Sequence, residues 1–188
     1  MANDITVAIL RSPDLRDWQR CQMLAYATEG KDANGRPTKE WMRKMLKCQH
    51  SPIRTLMFTI GMRVPYYVST HFVRHKIGVE HFVQSQRNDR QSNYDRELAP
   101  QNEMVFHIMD INAEQLMFMA NRRLCAKADK TTRYVMFMIC RAVEETCSEF
   151  TGCFKPMCEK MHECPEFKSC GHWDRKKMDY AIQIMKEC

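Results

Sequence analysis

Several features that define other protein classes are missing from this chain of 188 residues. It contains no run of eighteen apolar residues, so we expect no transmembrane helix. Its first residues, Met-Ala-Asn-Asp-Ile, lack the basic and then apolar pattern of a secretory signal, which makes the cytoplasm the expected compartment. It also has no internal repeat and no low-complexity linker. These absences leave an ordinary globular protein as the expectation.

The bulk composition supports a single domain with a real core. Apolar residues make up 44% of the chain and charged residues 28%, which is normal for a globular protein. The net charge of +6 is modest. It suits anionic small molecules at least as well as nucleic acid, which more often requires a broad basic stripe. Membranes and nucleic acid are therefore not the expected partners.

Ten cysteines are many for a chain of this size, and four of them recur near the carboxyl terminus. These four are Cys153, Cys158, Cys164 and Cys170, with His162 and His172 among them. They could hold Zn²⁺ or an iron–sulfur cluster, form one or two disulfides, or remain buried free thiols. Because no Cys-x-x-Cys pair occurs, we predict no metal site and keep the four as candidates for a structural zinc ion that would staple this segment.

Hydrophobic periodicity predicts a mixed, helix-rich α+β protein. Strands are predicted at 5–10, 56–64 and 104–109, and helices at 14–27, from 38, at 66–77, from 110 or 112 to 126, and from 131 or 132 to 150. Polar residues 88–103 and the Cys-rich residues 151–175 are expected to be loops. We expect one domain over residues 1–150 and a Cys-rich carboxyl-terminal extension over 151–188.

One short stretch concentrates groups that bind anions. Arg74, His75 and Lys76 are followed closely by Ser85 and Arg87. Arginine offers a planar fork to phosphate oxygens, and lysine and histidine add further donors. Cations near the carboxyl end of the predicted helix 66–77 are also favoured electrostatically. The stretch suits two anionic ligands, such as a dinucleotide cofactor and a nucleotide; the alternative is a solvated basic helix face.

This stretch resembles the signature of the flavin-dependent thymidylate synthases, in which Arg-His-Arg is followed after seven residues by Ser, inside Gln-Ser-x-Arg. Here Lys76 replaces the third residue of Arg-His-Arg, and residues 84–87 read Gln-Ser-Gln-Arg. The gap is eight residues rather than seven, and Phe82-Val83 replaces an Asn-Glu pair of the family.

The resemblance extends in the right order over about residues 45–150. His50-Ser51-Pro52 precedes a predicted strand, as in the family's His-x-Ser/Thr-Pro segment. Residues 112–117 and 121–123 are similar to the family's Asn-Ala-Arg-Ser-Leu and Asn-Leu-Arg. Two positions depart from the family in charge or hydrogen bonding: Arg54 stands where the family has an acid, and His71 where it has Gln. The implied fold is an α+β domain with a small, mainly antiparallel sheet.

The resemblance implies FAD as cofactor, methylenetetrahydrofolate and NADPH as co-substrates, and a deoxypyrimidine monophosphate, by default dUMP, as substrate. It also implies a homotetramer with active sites between subunits. Arg123 would contact the pyrimidine carbonyls and stabilise developing negative charge, which makes it the expected catalytic residue. The implied cofactor-binding residues are Arg74, His75, Lys76, His50, Ser51 and Asn112. The implied substrate-binding residues are Ser85, Gln86, Arg87, His71 and Arg123.

Other functions remain open at the level of sequence. The altered residues at 54, 71 and 83 suggest hydroxymethylation, or dCMP as substrate. A nucleotide-binding homologue without catalysis, and a nucleic-acid-binding module with a zinc element, are the alternatives of other classes. No cysteine stands in the Pro-Cys-His setting of the thiolate-dependent thymidylate synthases, which argues against that route. His71 and His75 are spaced as a metal pair, but no third ligand accompanies them.

Overall fold

A four-stranded antiparallel sheet organises the computed structural model, which describes residues 4–33, 35–90 and 94–187. The strand order is β1-β2-β4-β3, and all three pairings are antiparallel. The strands are β1 (Thr6–Arg11), β2 (Met57–Pro65), β3 (Val79–Val83) and β4 (Met104–Asn112). The predicted class, an α+β domain with a small antiparallel sheet, is confirmed.

Helices flank the sheet and begin at polar caps. The helices are α1 (Leu15–Ala27), α2 (Lys39–Cys48), α3 (Tyr66–Phe72), α4 (Ala113–Arg123), α5 (Lys130–Thr146), α6 (Met157–Met161) and α7 (His172–Glu187), with 3-10 turns at Ser51–Thr55 and Ser148–Phe150. Side-chain oxygens of Asp14, Thr38, Asn112 and Asp129 accept backbone N–H groups at the starts of α1, α2, α4 and α5. Such caps satisfy donors that a helix leaves open and so fix where each helix starts.

The core lies on one face of the sheet. Alternate residues of β2, including Phe58 and Ile60, are fully buried there, as is Met109 of β4. Phe58 meets the ring of Phe150 edge-on, with centroids 5.2 Å apart, and Trp18 of α1 packs against the same ring. The core therefore joins the sheet to α1 and to the turn after α5. None of the helices in the described residues is long and apolar enough to cross a membrane.

The opposite face of the sheet is open and apolar along one row. Gly61 is paired with Ala8 on one side and Ile108 on the other, and Ile108 is paired with Phe82. Phe82 is 58% exposed and Phe106, on the same face of β4, is 62% exposed. An exposed sheet face normally carries polar side chains, so a stripe of this kind marks an interaction surface.

The structure corrects the predicted helix at 66–77. Helix α3 ends at Phe72, so Arg74, His75 and Lys76 lie in the turn that follows it rather than in the helix. Gly78, with φ of 71°, reverses the chain into strand β3, which the sequence did not reveal. The chain forms a turn here instead of continuing the helix, because Gly78 adopts a left-handed conformation that other residues rarely adopt.

Other boundaries also differ from the predicted ones. Strand β4 runs to Asn112, so Asn112 and not Asp110 caps α4, which ends at Arg123. Helix α5 begins after Asp129, whose carboxylate accepts from the backbone of Thr132, and ends at Thr146. Residues 151–175, predicted as a loop, contain α6 and the start of α7. The predicted loop at 88–103 carries no strand or helix in its described part.

The Cys-rich extension is not separated sharply from the core. Cys153 and Phe154 pack against the core cluster, and the ring of Phe154 stacks on Phe150 at 6.1 Å. Beyond them the chain buries little. A boundary at residue 150 remains a prediction.

Gly78 tests how strongly the turn into β3 is determined. A Cβ at this position would collide with the side chain of Asn112, and the residue would keep a left-handed backbone. We expect Gly78→Ala to lower the free energy of unfolding by about 1–2 kcal/mol, because alanine is disfavoured in the left-handed conformation. Disturbance of the Asn112 cap should lower it by about 1 kcal/mol more. Urea unfolding measures the sum.

Gly30→Ala is the matched control for that variant. Gly30 has nearly the same φ, 67°, but a Cβ there would have no neighbour within 4 Å. Gly30→Ala should therefore lower the free energy of unfolding only by the cost of placing alanine in a left-handed backbone conformation. Equal losses in the two variants would mean that Asn112 moves aside without cost and that the contact does not fix the turn.

Candidate functional site

Arg123, at the end of α4, forms hydrogen bonds to two other predicted site residues, His75 and His71. Its Nε donates to Nε2 of His75 at 3.1 Å, and its Nη2 donates to the backbone oxygen of His71 at 2.6 Å. The guanidinium thus fastens the end of α3 and the following turn to α4. Burial lowers the pKa of Arg123, and the charge of Arg74 lowers it further.

His75 is buried and held as a neutral imidazole. Because Arg123 donates to Nε2, the single proton of the neutral ring must stand on Nδ1. Nε2 of the Gln115 side-chain amide lies 3.3 Å from Nδ1, so a proton on Nδ1 requires the amide to be turned by 180°, with its oxygen toward the ring. Burial lowers the pKa of His75 to about 4, helped by the charges of Arg123, His81 and Arg122.

A directed chain of hydrogen bonds runs from His75 into the core. Nε2 of His81 lies 2.8 Å from the backbone oxygen of His75, which can only accept, so His81 carries its proton on Nε2. Nδ1 of His81 then accepts from Nε2 of His107 at 2.9 Å, and Nδ1 of His107 accepts from the Ser69 hydroxyl at 3.0 Å. Burial lowers the pKa of His107 to about 4, and a positive charge on the His81 ring, when it is protonated, would lower it further. One backbone carbonyl therefore sets the tautomers of half-buried His81 and buried His107, which sequence reasoning missed.

Arg74 and Lys76 flank His75 and point outward. Both are exposed, and no ion pair in the described part of the chain involves either of them. Arg74 is close enough to Arg123 to depress the pKa of its guanidinium. Several cations without carboxylate partners around one buried imidazole form a surface suited to an anionic ligand.

The second predicted cluster lies at the other end of β3. Arg87 is exposed and donates through Nε and Nη2 to Asp89 at 2.9 and 2.7 Å. A cleft of about 210 Å³ opens beside it, lined by Tyr66, Val83, Gln84, Gln86, Arg87 and Arg96. Ser85 is half-buried next to this cleft in the chain. Arg96 adds a cation that the sequence did not single out, because it lies in the polar segment 88–103.

The two clusters do not meet within one chain. Strand β3 lies between them in the chain, and its five residues span about 13 Å from the first Cα atom to the last, in four steps of about 3.3 Å. Arg74, His75 and Lys76 precede this strand, and Gln86 and Arg87 follow it. A dinucleotide could extend over such a distance.

Three further predicted residues have local roles in the structure. Asn112 uses its side-chain oxygen to accept the backbone N–H of Gln115 at 2.9 Å, capping α4. His50 is half-buried in a small cavity with Tyr26 and Trp41. Ser51 is exposed at the start of a 3-10 turn.

Arg54 and His71, the two positions that depart from the family pattern, both form side-chain hydrogen bonds. Arg54 forms a bidentate pair with Glu114, at 2.7 and 3.2 Å, so its added charge is balanced. The ring of His71 lies 2.8 Å from the Thr132 hydroxyl through Nδ1. Since His71 faces Thr132 and His75 faces Arg123, the two histidines do not converge as a metal pair.

The cysteine candidates separate into two places. Cys158, Cys164 and Cys170 line one cavity, whereas Cys153 lines another. Cys125, which the spacing did not suggest, joins the first group. No group of three or more His, Cys, Asp or Glu side chains in the described residues stands ready to hold a metal ion.

Comparison with known proteins finds the fold through structure alone. No protein-family profile matches the chain, and no curated protein sequence matches it. Thymidylate Synthase X (ThyX) from Helicobacter pylori, solved with FAD and dUMP, superposes with a TM-score of 0.62 at 14% identity, over 80% of this chain and 97% of that one.

A second similar protein is PolB, a UMP/dUMP methylase from Streptomyces cacaoi. Bound with 5-Br dUMP it gives a TM-score of 0.58 at 19% identity, covering 79% of this chain and 95% of that one. Bound with 5-Br UMP it gives 0.54 at 16%, covering 81% and 96%. These TM-scores, all above 0.5, establish a common fold, and the fold implied by the resemblance is confirmed.

The buried histidines predict a specific loss of stability in acid. His75 and His107 have pKa values near 4 in the folded protein and about 6.5 when unfolded. Between these values the unfolded chain binds more protons, so stability is lost as pH falls from 6.5 to 4 and regained as pH rises. Each group adds a slope of about 1.4 kcal/mol per pH unit.

Chemical unfolding at several pH values between 4.5 and 7 measures this slope. His107→Asn should reduce the slope of unfolding free energy against pH by about 1.4 kcal/mol per pH unit, the contribution of one titrating group. His162→Asn, which changes an exposed histidine, should keep the parental slope. A His107→Asn protein with an unchanged slope would show that His107 is protonated in the folded state.

Proposed function

We propose that this protein transfers a one-carbon unit from methylenetetrahydrofolate to C5 of a deoxypyrimidine monophosphate, by default converting dUMP to dTMP, with FAD as cofactor and NADPH as reductant. The observation that carries the proposal is the Arg123–His75 pair, flanked by exposed Arg74 and Lys76, in a fold shared with proteins solved with FAD, dUMP and UMP analogues. The cytoplasm is the proposed compartment.

The residues around His75 fit FAD by the chemistry of their donors. Arg74 and Lys76 offer charged donors, unpaired within the described residues, that suit a pyrophosphate. His75, buried and neutral, lies between them in the chain. Bound FAD would supply the hydride chemistry, and the chain's own residues would orient it and exclude water. His50, Ser51 and Asn112 remain proposed neighbours of the cofactor.

The cleft beside Arg87 fits the nucleotide phosphate. The Arg87–Asp89 pair is exposed, and such pairs contribute about 0–1 kcal/mol, so a dianionic phosphate can compete with Asp89 for the guanidinium. Gln86 and Arg96 line the same cleft and add donors. Ser85 stands next to them in the chain and can contribute its hydroxyl.

Arg123 is the proposed catalytic residue. A guanidinium has five N–H bonds, and two of those of Arg123 are engaged, by Nε2 of His75 and the oxygen of His71. The remaining three can donate to pyrimidine carbonyl oxygens, where negative charge develops when C5 reacts. Donors fixed before the reaction stabilise that charge without reorganisation. His71, held by Thr132, would stand on the base side of the nucleotide.

The separation of the two clusters supports a site shared between subunits of a homotetramer. One chain alone keeps Arg74 and Arg87 on opposite sides of β3. The open sheet face, with Phe82, Phe106 and Ile108 exposed, offers an apolar surface for self-association. Flavin at 74–76 of one subunit and nucleotide at 85–87 of its neighbour would then bind side by side.

The partners of Arg54 and His71 support a variant of this function. Both differ from the family on the base side of the proposed site, and both have hydrogen-bond partners, Arg54 in an exposed pair with Glu114 and His71 in a half-buried contact with Thr132. A changed base side suits dCMP, or hydroxymethylation, as the alternative to dUMP methylation.

Titration of the flavin-loaded protein with dUMP and dCMP, followed by absorbance, distinguishes the substrates. A protein that binds nucleotide but no FAD would be the non-catalytic homologue.

Single arginine substitutions test the division of labour. We expect Arg74→Ala to lose FAD, and Arg87→Ala to keep FAD but bind dUMP at least about 10-fold more weakly, as removal of one charged phosphate donor implies. Flavin absorbance and nucleotide titration measure both. Arg16→Ala, an exposed change on α1, is the control and should alter neither. Equal losses of both ligands in the two variants would contradict the assignment.

Hybrid oligomers test the shared site. Chains with Arg74→Ala and chains with Arg87→Ala should each be inactive, but co-expressed they should regain about a quarter of the parental dTMP formation, because random pairing gives half times half of the sites both native arginines. If each site belonged to one chain, hybrids would stay as inactive as the separate variants.

A further inference from the structure

Four cysteines from distant parts of the chain line a single cavity of about 350 Å³. Cys125 lies in the turn between α4 and α5, Cys158 in α6, and Cys164 and Cys170 in the segment between α6 and α7. Burial raises the pKa of the Cys158 thiol, and Cys125 and Cys164 are both close enough to raise it further. The four thiols therefore share one cavity, although their side chains do not converge on one point in the described structure.

The indole of Trp173 supplies a second, independent sign of a ligand. Its Nε1 is buried and has no acceptor among the described residues, although Trp173 lines the same cavity. Buried indole N–H groups normally find a partner. A thiolate sulfur coordinated to a metal is an acceptor for such a group, and hydrogen bonds of this kind orient metal ligands.

The charges around the cavity leave a small excess of cations beside the thiols. Arg122, Lys127 and Arg133 line it together with Glu159 and Glu166, and Nη1 of Arg122 lies 4.0 Å from Oε1 of Glu166. A divalent cation with four thiolates carries a net charge of −2, which the cationic side chains would balance in part. Lys127 also donates through Nζ to the backbone oxygen of Lys168 at 2.7 Å, so the turn after α4 already contacts the carboxyl-terminal segment.

The segment after α5 lacks a core of its own. Between residues 151 and 179, Cys158 is the one described side chain that is buried. Segments that bury so little apolar surface are usually ordered by a metal or by disulfides. The nine cysteines that the structure describes are all free.

We propose that Cys125, Cys158, Cys164 and Cys170 form a structural tetrathiolate zinc site that anchors the carboxyl-terminal segment to the end of α4. Binding releases the four thiol protons as four Zn–S bonds form, with no oxidant or reductant involved. Neutral thiols have no reason to converge, and the side chains must turn inward to reach the Zn–S distance of about 2.3 Å. Three of the ligands stand in turns or loops, where such adjustment costs little.

This set differs from the one that sequence spacing suggested. Cys153 lines a separate cavity with Lys155 and Gly152, and burial raises the pKa of its thiol to about 11. It packs against the core as an apolar side chain. Cys125 takes its place, although 32 residues separate it from Cys158.

Zinc content of the full chain tests the proposal. The protein is reduced, stripped with a chelator, reloaded with Zn²⁺, desalted and measured by mass spectrometry of the metal. We expect about one zinc ion per chain, as for a single tetrathiolate site. Cys125→Ser should lose the tightly held zinc, and Cys153→Ser, the matched control, should keep it. Full retention by Cys125→Ser, or loss by Cys153→Ser, would overturn the assignment.

Further measurements keep the test valid if a core cysteine cannot be replaced. Cys170 is half-exposed, so Cys170→Ser should fold and should still lose the zinc. Co²⁺ in place of zinc should give the intense sulfur-to-metal absorption of four thiolates, weakened in Cys170→Ser. Chelation should expose residues 151–187 to limited proteolysis. Failure of the reduced protein to bind zinc, or an intact mass that rises on reduction because disulfides were present, would overturn the site.

Discussion

The hydrogen bond from Arg123 to His75 is the contact on which the rest of the candidate site depends. It joins the turn after α3 to the end of α4, and it requires His75 to be neutral with its proton on Nδ1. The carbonyl of the same residue then sets the direction of the chain through His81 and His107. Loss of Arg123 would therefore free a buried imidazole and remove the constraint on the turn that presents Arg74 and Lys76.

Cations gathered in one place repel one another, and in the free protein this repulsion makes their charged forms less stable. The pKa of Arg123 is lowered by burial and by Arg74, which means that its charge is less stable there than in water. An anion bound between Arg74, Lys76 and Arg123 would remove that repulsion. The proposed affinity for a phosphate-bearing ligand would thus come from the same electrostatic repulsion that destabilises the free site.

Much of the fold was predictable because its signals are local. The alternation of residues 56–64 and the cap at Asn112 indicated β2 and α4 directly. Strand β3 was missed because five residues after an unrecognised glycine turn carry too short a pattern, and α3 was extended through residues that belong to that turn. The partners of Arg123 could not be predicted, since nothing local in the sequence links it to a ring 48 positions away. The same holds for Cys125, which reaches the carboxyl-terminal segment only through the packing of α4.

The open face of the sheet bears on why the site is divided. If the protein acted as a monomer, Phe82, Phe106 and Ile108 would present an apolar stripe to water with no gain, and the anion-binding clusters would remain at the two ends of β3, whose five residues span about 13 Å. In the proposed homotetramer, a second copy seated on that face would bury the stripe and would bring its own β3 end toward the first copy's Arg123. The proposed enclosure of the ligands between chains would thus account both for the apolar face and for cationic clusters that lie at the two ends of one strand.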